Sequence, residues 1–146
     1  MNNVLFTDVM TVYNYCRNEE HEGWSRSVVR GVQWSHNKTE VSVSDGVQSE
    51  GKVERITVDF SRGYGNKPYL PPNEYRKLPP DRCGDYWTLD AKTGQDILVL
   101  GETTQEISRQ YRISALKNDS QYAVTVAAVS DNRNRRLLKQ IKVVGK

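Results

Sequence analysis

Much of the chain alternates hydrophobic and polar residues with a period of two, the pattern of half-buried β-strands. It is clearest between residues 52 and 60, where Ile56 and Val58 share one parity and Arg55 and Thr57 share the other. Turn-forming residues separate the alternating segments. The pattern predicts strands at 9–17, 24–34, 41–43, 52–60, 122–129 and 137–144.

Three further features refine this pattern. Gly31 lies inside the second segment and predicts a bulge or a close backbone approach. Residues 97–100 are all aliphatic, which indicates a strand buried on both faces, and with 86–90 they predict a hairpin across 86–100. Helical spacing is seen around Ile107 and Tyr111, and predicts one short helix within 105–119.

Residues 61–85 differ from the rest because they hold all five prolines of the chain, together with several tyrosines. Proline fixes φ and removes a backbone donor, so we expect neither sheet nor helix here. A segment this long without regular structure is usually functional. We therefore expect an extended arm or an ordered loop.

The predicted fold is mainly β: a small antiparallel β-barrel or sandwich of seven to eight strands, with one short helix and a long Pro/Tyr-rich loop. A length of 146 residues corresponds to a single domain spanning 1–146. No apolar run approaches the roughly 20 residues that cross a bilayer, so we expect no membrane partner.

The net charge of +3 is unevenly distributed along the chain. Residues 131–146 hold six basic residues and a single acid, Asp131, so this end is strongly basic. Such asymmetry is typical of a solvated surface, and also of a surface that binds an anionic partner. Cys16 and Cys83 are the two cysteines, and in a reducing compartment we expect two free thiols rather than a disulfide bond.

Candidate chemistry is sparse. Neither a phosphate-binding loop nor a serine nucleophile motif is present, and His21 and His36 both lie in predicted polar turns. Asp90 and Asp96 could form a carboxylate pair, as could 81 and 85, but both pairs flank turns, where aspartate commonly bonds the backbone. We therefore predict no catalytic residue, no metal site and no cofactor, and a protein that is not an enzyme.

Several segments resemble a family of small proteins encoded by phages and prophages of Gram-positive bacteria. They are VMTVYNY (9–15), VRGVQW (29–34), GDYWTL (84–89), DILVLGE (96–102), SDNRNRR (130–136) and IKVVGK (141–146). The resemblance implies a head–tail connector protein of the head-closure or stopper type, a structural component of the virion neck. It also implies a β-barrel core with a long loop that reaches the central channel or a neighbouring subunit, assembled in the host cytoplasm.

This resemblance and the residues together predict a homo-oligomeric ring that contacts portal or adaptor proteins and tail-terminator proteins. Tyrosine and arginine often carry interface energy, so we expect inter-subunit contacts in the proline-rich segment. The predicted contact residues there are Tyr64, Tyr69, Leu70, Tyr75 and Arg76.

The basic end predicts a second contact surface. Arg133, Arg135 and Arg136 are candidates for binding an acidic partner or packaged DNA. Three other functions remain open: a capsid decoration protein, a tail-terminator protein, and a small nucleic-acid-binding β-barrel.

Overall fold

A computed structural model describes residues 8–15, 24–36, 40–44, 47–51, 54–60, 67–79, 82–92, 96–107, 111–120, 122–133 and 139–146. Within these ranges it contains eight strands, two short α-helices and one 3-10 helix, Cys83–Asp85. The strands are β1 (Asp8–Tyr15), β2 (Trp24–His36), β3 (Glu40–Ser44), β4 (Val47–Gly51), β5 (Glu54–Asp59), β6 (Ile97–Leu100), β7 (Ala123–Asp131) and β8 (Gln140–Gly145). The α-helices are α1 (Pro72–Tyr75) and α2 (Ile113–Asp119).

Six antiparallel strands form one sheet that closes on itself as a barrel, in the order β1-β2-β5-β8-β7-β6. The ring closes because β1 pairs with both β2 and β6. The prediction of a mainly β chain with antiparallel strands is confirmed. The barrel has fewer strands than the seven to eight expected, because β3 and β4 pair with each other as a separate two-stranded sheet.

The interior of the barrel is built by the period of two seen in the sequence. Ile56 and Val58 of β5 point inward, and Val143 and Ile141 lie opposite them on β8. The inward position after Val143 is Gly145, where a Cβ would overlap the side chain of Val124. The other inward residues of the strands include Met10, Val12, Val29, Val32, Trp34, Leu98 and Val126.

Strand β2 changes its inward parity at Gly31, where the sequence predicts a bulge or a close backbone approach. Gly31 has a φ of +74°, a conformation that glycine adopts without steric cost. The pairing register with β1 shifts at the same point, between Asp8 and Val9. Because of this bulge, Val29 and Val32 both point inward although they are three residues apart.

A second hydrophobic cluster covers the outside of the barrel at β1 and β6. Ile97 and Val99 project outward from β6 and pack with Tyr13, Ile107 and Leu116. Leu98 fills the interior of the barrel while Ile97 and Val99 pack against the outer cluster. Both faces of β6 are therefore covered, which explains why residues 97–100 are all aliphatic. The expected helix is present as α2, which covers 113–119 of the predicted 105–119.

Two predictions about residues 61–90 were wrong. Residues 86–90 form no strand hairpin with β6, which pairs with β1 and β7 instead. The proline-rich segment contains the helix α1, which begins at Pro72 because a proline in the first helical turn lacks only a donor that would have no partner there. Residues 67–92, apart from 80 and 81, which lie outside the described residues, fold back onto the barrel; we call residues 67–79 and 82–92 the docked segment.

Candidate functional site: the docked segment

The docked segment is fastened by backbone pairing within itself. Tyr69 and Trp87 form an isolated parallel bridge. The Leu70 amide donates to the Trp87 carbonyl at 2.9 Å, and the Trp87 amide donates to the Pro68 carbonyl at 3.2 Å. The two halves of the segment therefore lie side by side, and side chains from both can reach the barrel.

Three aromatic rings pack at one end of the barrel, and we call them, with Arg133, the aromatic cluster. The Tyr69 ring meets the Trp87 ring edge-on at 4.8 Å and the Phe60 ring at 5.3 Å. Phe60 and Trp87 are stacked, with an interplanar angle of 9° and centroids 6.0 Å apart. Trp87 is 1% exposed, so this contact belongs to the barrel core.

Arg133 completes the aromatic cluster. Its guanidinium carbon lies 4.7 Å from the centroid of Tyr69 and 5.6 Å from that of Phe60. Its Nη2 also donates to the Asp131 carboxylate at 2.8 Å. Burial raises the pKa of Tyr69 to about 12, while the positive charge of Arg133 opposes that rise. Arg133 therefore makes contacts within its own chain, whichever partner it also binds.

A buried carboxylate organises the other anchor of the segment, which we call the polar cluster: Asn14, Arg76, Asp90 and Asp96. Asp96 Oδ2 accepts from Asn14 Nδ2 at 2.9 Å and from the Asp90 amide at 3.1 Å, while Oδ1 accepts from the Tyr15 amide at 2.9 Å. Burial raises the pKa of Asp96 to about 7, and the three hydrogen bonds oppose that rise by favouring the charged form.

Asn14 joins β1 to the docked segment through its side-chain amide. Its Nδ2 donates to the Thr88 carbonyl at 2.6 Å, and its Oδ1 accepts from the Thr88 amide at 3.0 Å. The sequence analysis missed Asn14. The available signal was a polar residue at the inward parity of β1, after Met10 and Val12, because a buried amide needs partners.

Asp90 connects this cluster to the helix α1 region. Its Oδ1 accepts from the Lys92 amide at 2.9 Å, and its Oδ2 forms an ion pair with Arg76 Nε at 3.2 Å. Asp90 is 4% exposed, whereas Arg76 lies at the surface. The ion pair therefore ties the surface of the docked segment to a buried carboxylate.

Tyr75 and Cys83 form a small third cluster under α1, with Leu70, Leu78 and Tyr86 packed around them. The Tyr75 hydroxyl donates to the Cys83 carbonyl at 3.3 Å. Burial is the main cause that raises the pKa of Tyr75. Cys83 is disulfide-bonded, so the expectation of two free thiols was wrong. That expectation rested on the cellular compartment alone and could not use the geometry of the fold, which a disulfide bond also requires. Cys16, the other cysteine of the sequence, lies outside the described residues.

The predicted contact residues of the proline-rich segment occupy different environments. Tyr69 and Tyr75 are 8% and 4% exposed, so in this conformation they pack within their own chain instead of offering a surface. Leu70 is half-buried and Arg76 is exposed. Tyr64 lies outside the described residues, as do Arg135 and Arg136 of the basic end.

The chemistry of the polar cluster is that of a structural anchor. All four carboxylate oxygens of Asp90 and Asp96 have partners inside the chain, and Asp96 is 2% exposed. Among the described residues, no group of three or more histidine, cysteine, aspartate or glutamate side chains could hold a metal ion. No helix in the described part of the chain is long and apolar enough to cross a membrane.

Comparison with known proteins gives one match. Neither a curated protein nor a solved structure matches the chain. The model of a family of unknown function, DUF6751, matches residues 5–146. This match spans nearly the whole chain, including every strand of the barrel, the β3–β4 sheet and the docked segment. The chain therefore belongs to the DUF6751 family.

Proposed function

We propose that this protein is a structural, non-catalytic virion subunit of a tailed phage that forms a homo-oligomeric ring at the head–tail connector. The resemblance of its sequence segments to small phage and prophage proteins supports this assignment. The polar cluster supports it too, because the described carboxylates most suited to acid–base chemistry are used to hold the chain together.

The observation that carries the proposal is the β3–β4 sheet. It is a two-stranded sheet inserted between β2 and β5, and no third strand joins it among the described residues. An isolated two-stranded sheet is only marginally stable in water, and its edges offer backbone groups to another strand. The sheet is therefore suited to pair with a second copy of the chain.

Pairing of this kind leads to a ring when one surface of a subunit meets a different surface of the next. The closed barrel has no free edge of its own, so it gives each subunit a rigid body from which the β3–β4 sheet extends. Leu70 and Arg76, at the surface of the docked segment, remain proposed contact residues.

The register of the barrel allows a direct test. His36 of β2 is paired with Glu54 of β5, so residues 37–53 can be replaced by an Asn-Gly turn that joins two strands already opposite each other. We expect the full chain to form a ring whose mass is measured by light scattering. We expect the variant that carries the Asn-Gly turn in place of 37–53 to be a monomer, with an unchanged cooperative unfolding transition.

Two results would overturn the proposal. One is a full chain that stays monomeric at high concentration and does not bind portal or adaptor rings. The other is a variant without residues 37–53 that folds and assembles as well as the full chain. The β3–β4 sheet would then have no part in assembly. Electron cryo-microscopy of the ring or the virion would place the subunit at the neck or elsewhere.

A further inference from the structure

The β3–β4 sheet differs from the barrel in the number of neighbours that each strand has. Every strand of the barrel pairs with a strand on each side, whereas β3 and β4 pair only with each other. Among the strands that the structure describes, these two alone have a whole edge without a partner strand. Such an edge presents backbone N–H and C=O groups to which a further strand can be added.

The pairing register identifies the backbone groups on these two edges. Ser44 is paired with Val47, and only two residues separate them in the sequence. A pair that flanks a two-residue connection exchanges both of its backbone hydrogen bonds. Hydrogen-bonded and non-hydrogen-bonded pairs then alternate along an antiparallel ladder. The next pair, Val43 with Gln48, is therefore of the non-hydrogen-bonded type.

The same alternation makes Val41 and Glu50 a second pair of this type. In such pairs the N–H and C=O groups of both residues point away from the partner strand. The outer edge of β3 consequently presents the backbone groups of Val41 and Val43, and that of β4 presents those of Gln48 and Glu50. On each edge the two positions are about 7 Å apart. The two edges therefore offer the same number of donors and acceptors at the same spacing.

The direction of the strands makes these two edges complementary in a ring of copies. All copies in a ring are related by rotation about one axis, so β3 runs in the same sense in every copy. Because β4 is antiparallel to β3, β4 of one copy would meet β3 of the next copy in the antiparallel sense as well. Each new ladder would continue the antiparallel pattern of the sheet.

Closure of such a ring would leave no edge of the sheet unpaired. A twofold pair through β3 alone, or through β4 alone, would leave the other strand of each copy with an open edge. Pairing of β4 with β3 of the next copy uses both edges of every copy. It also turns a marginal two-stranded sheet into a continuous sheet of many strands, which is the more stable arrangement.

We propose that the outer edge of β4 in one copy pairs antiparallel with the outer edge of β3 in the next copy. The backbone groups that pair are those of Val41, Val43, Gln48 and Glu50. This inference rests on the proposed function, which requires a ring, and it adds the strands, the direction and the residues of the contact. Because backbone groups make the contact, it depends on amide hydrogens more than on the side chains of the two strands.

Proline substitutions test the two edges separately, because proline lacks the amide hydrogen and is tolerated on edge strands. Val43→Pro blocks the outer edge of β3 and Gln48→Pro that of β4, and neither removes a hydrogen bond between the two strands. We expect each variant alone to be a monomer by light scattering, whereas the full chain is a ring. An equimolar mixture should form a 1:1 dimer, because one variant still offers β4 and the other still offers β3. Its dissociation constant should be at least about tenfold below that for self-association of either variant.

The matched controls are Val43→Thr and Gln48→Thr, which change the same side chains but keep the amide hydrogen. We expect both controls to form the ring. Urea unfolding of the proline and threonine variants should match that of the full chain, because the barrel is unchanged in all of them.

Three results would overturn the inference. A proline variant that still assembles alone would show that its edge is not used. A mixture of the two proline variants that stays monomeric would exclude pairing between the two different edges. Loss of the ring in the threonine controls would place the contact in the side chains. A full chain that is itself monomeric would instead reject the proposed function, so the two failures are distinguished.

Discussion

The aromatic cluster and the polar cluster hold the same docked segment by different physical means. The aromatic cluster removes Trp87 and most of Tyr69 from water, a contribution that depends on apolar area and is insensitive to pH. The polar cluster buries Asp90 and Asp96, a costly step that is offset only by correctly placed donors.

This difference gives the two clusters different roles in holding the docked segment. Buried rings contribute stability over a range of geometries, whereas the carboxylates of the polar cluster need their amide donors and the Arg76 guanidinium in place. We therefore expect the aromatic cluster to contribute more to the stability of the docked segment, while the polar cluster fixes the position of the segment against β1 through Asn14.

The largest expected effect comes from the aromatic cluster. Trp87→Ala removes a ring that is 1% exposed, and we expect the free energy of unfolding to fall by about 3–5 kcal/mol. Urea unfolding followed by circular dichroism measures this loss. Tyr122→Ala is the control, because Tyr122 is 37% exposed and should cost less than about 1 kcal/mol. Equal losses in the two variants would contradict the assignment of Trp87 to the core.

The polar cluster predicts a dependence of stability on pH. The pKa of Asp96 is about 7 in the folded chain, above its ordinary value of 3.8. Between these two values the folded chain binds a proton that the unfolded chain has released, so stability falls as pH rises from about 4 to about 7. The loss of stability amounts to about 4 kcal/mol in total, and it is complete about one pH unit above the folded pKa.

Asp96→Asn tests this dependence, because asparagine does not titrate in this range. We expect the variant to lose the fall in stability between pH 4 and pH 7, as measured by urea unfolding at a series of pH values. The variant should therefore gain in stability relative to the parent as pH rises through this range, because only the parent loses stability there. A variant with the pH profile of the parent chain would rule out Asp96 as the titrating group.

The smallest expected effect concerns the surface end of the polar cluster. Arg76→Gln leaves the buried Asp90 without its cation, and we expect a loss of about 1–2 kcal/mol. Amide hydrogen exchange of α1 should increase in the same variant. Arg82→Gln is the control, because its partner Asp85 is exposed and such pairs contribute little. If exchange of α1 does not change, Arg76 does not help to hold the segment.

The strands were the part of the fold most readable from the sequence. Alternation placed β1, β2, β5, β7 and β8, because a barrel wall with a packed interior requires every second residue to be apolar. The prediction that 86–90 pairs with β6 was wrong, because β6 pairs with β1 and β7. Residues 86–90 have strand-like composition, but Trp87 pairs with Tyr69 of the docked segment, a partner distant in sequence that local pattern does not specify.

The candidate site was less predictable than the strands. Tyrosines between prolines were expected to reach another chain, yet Tyr69 and Tyr75 are buried within this one. Composition indicates that a side chain gains by losing contact with water. It does not indicate whether the surface that covers it belongs to the same chain.

The sequence by itself determined the strand pattern, the bulge at Gly31 and the basic end of the chain, because each depends on neighbouring residues. Only the tertiary structure decided that Asn14 meets the neighbouring pair Asp90 and Asp96, and that Phe60, Tyr69, Trp87 and Arg133 form one cluster. These contacts join residues far apart in the sequence, and the closure of the barrel, which no local pattern encodes, brings them together.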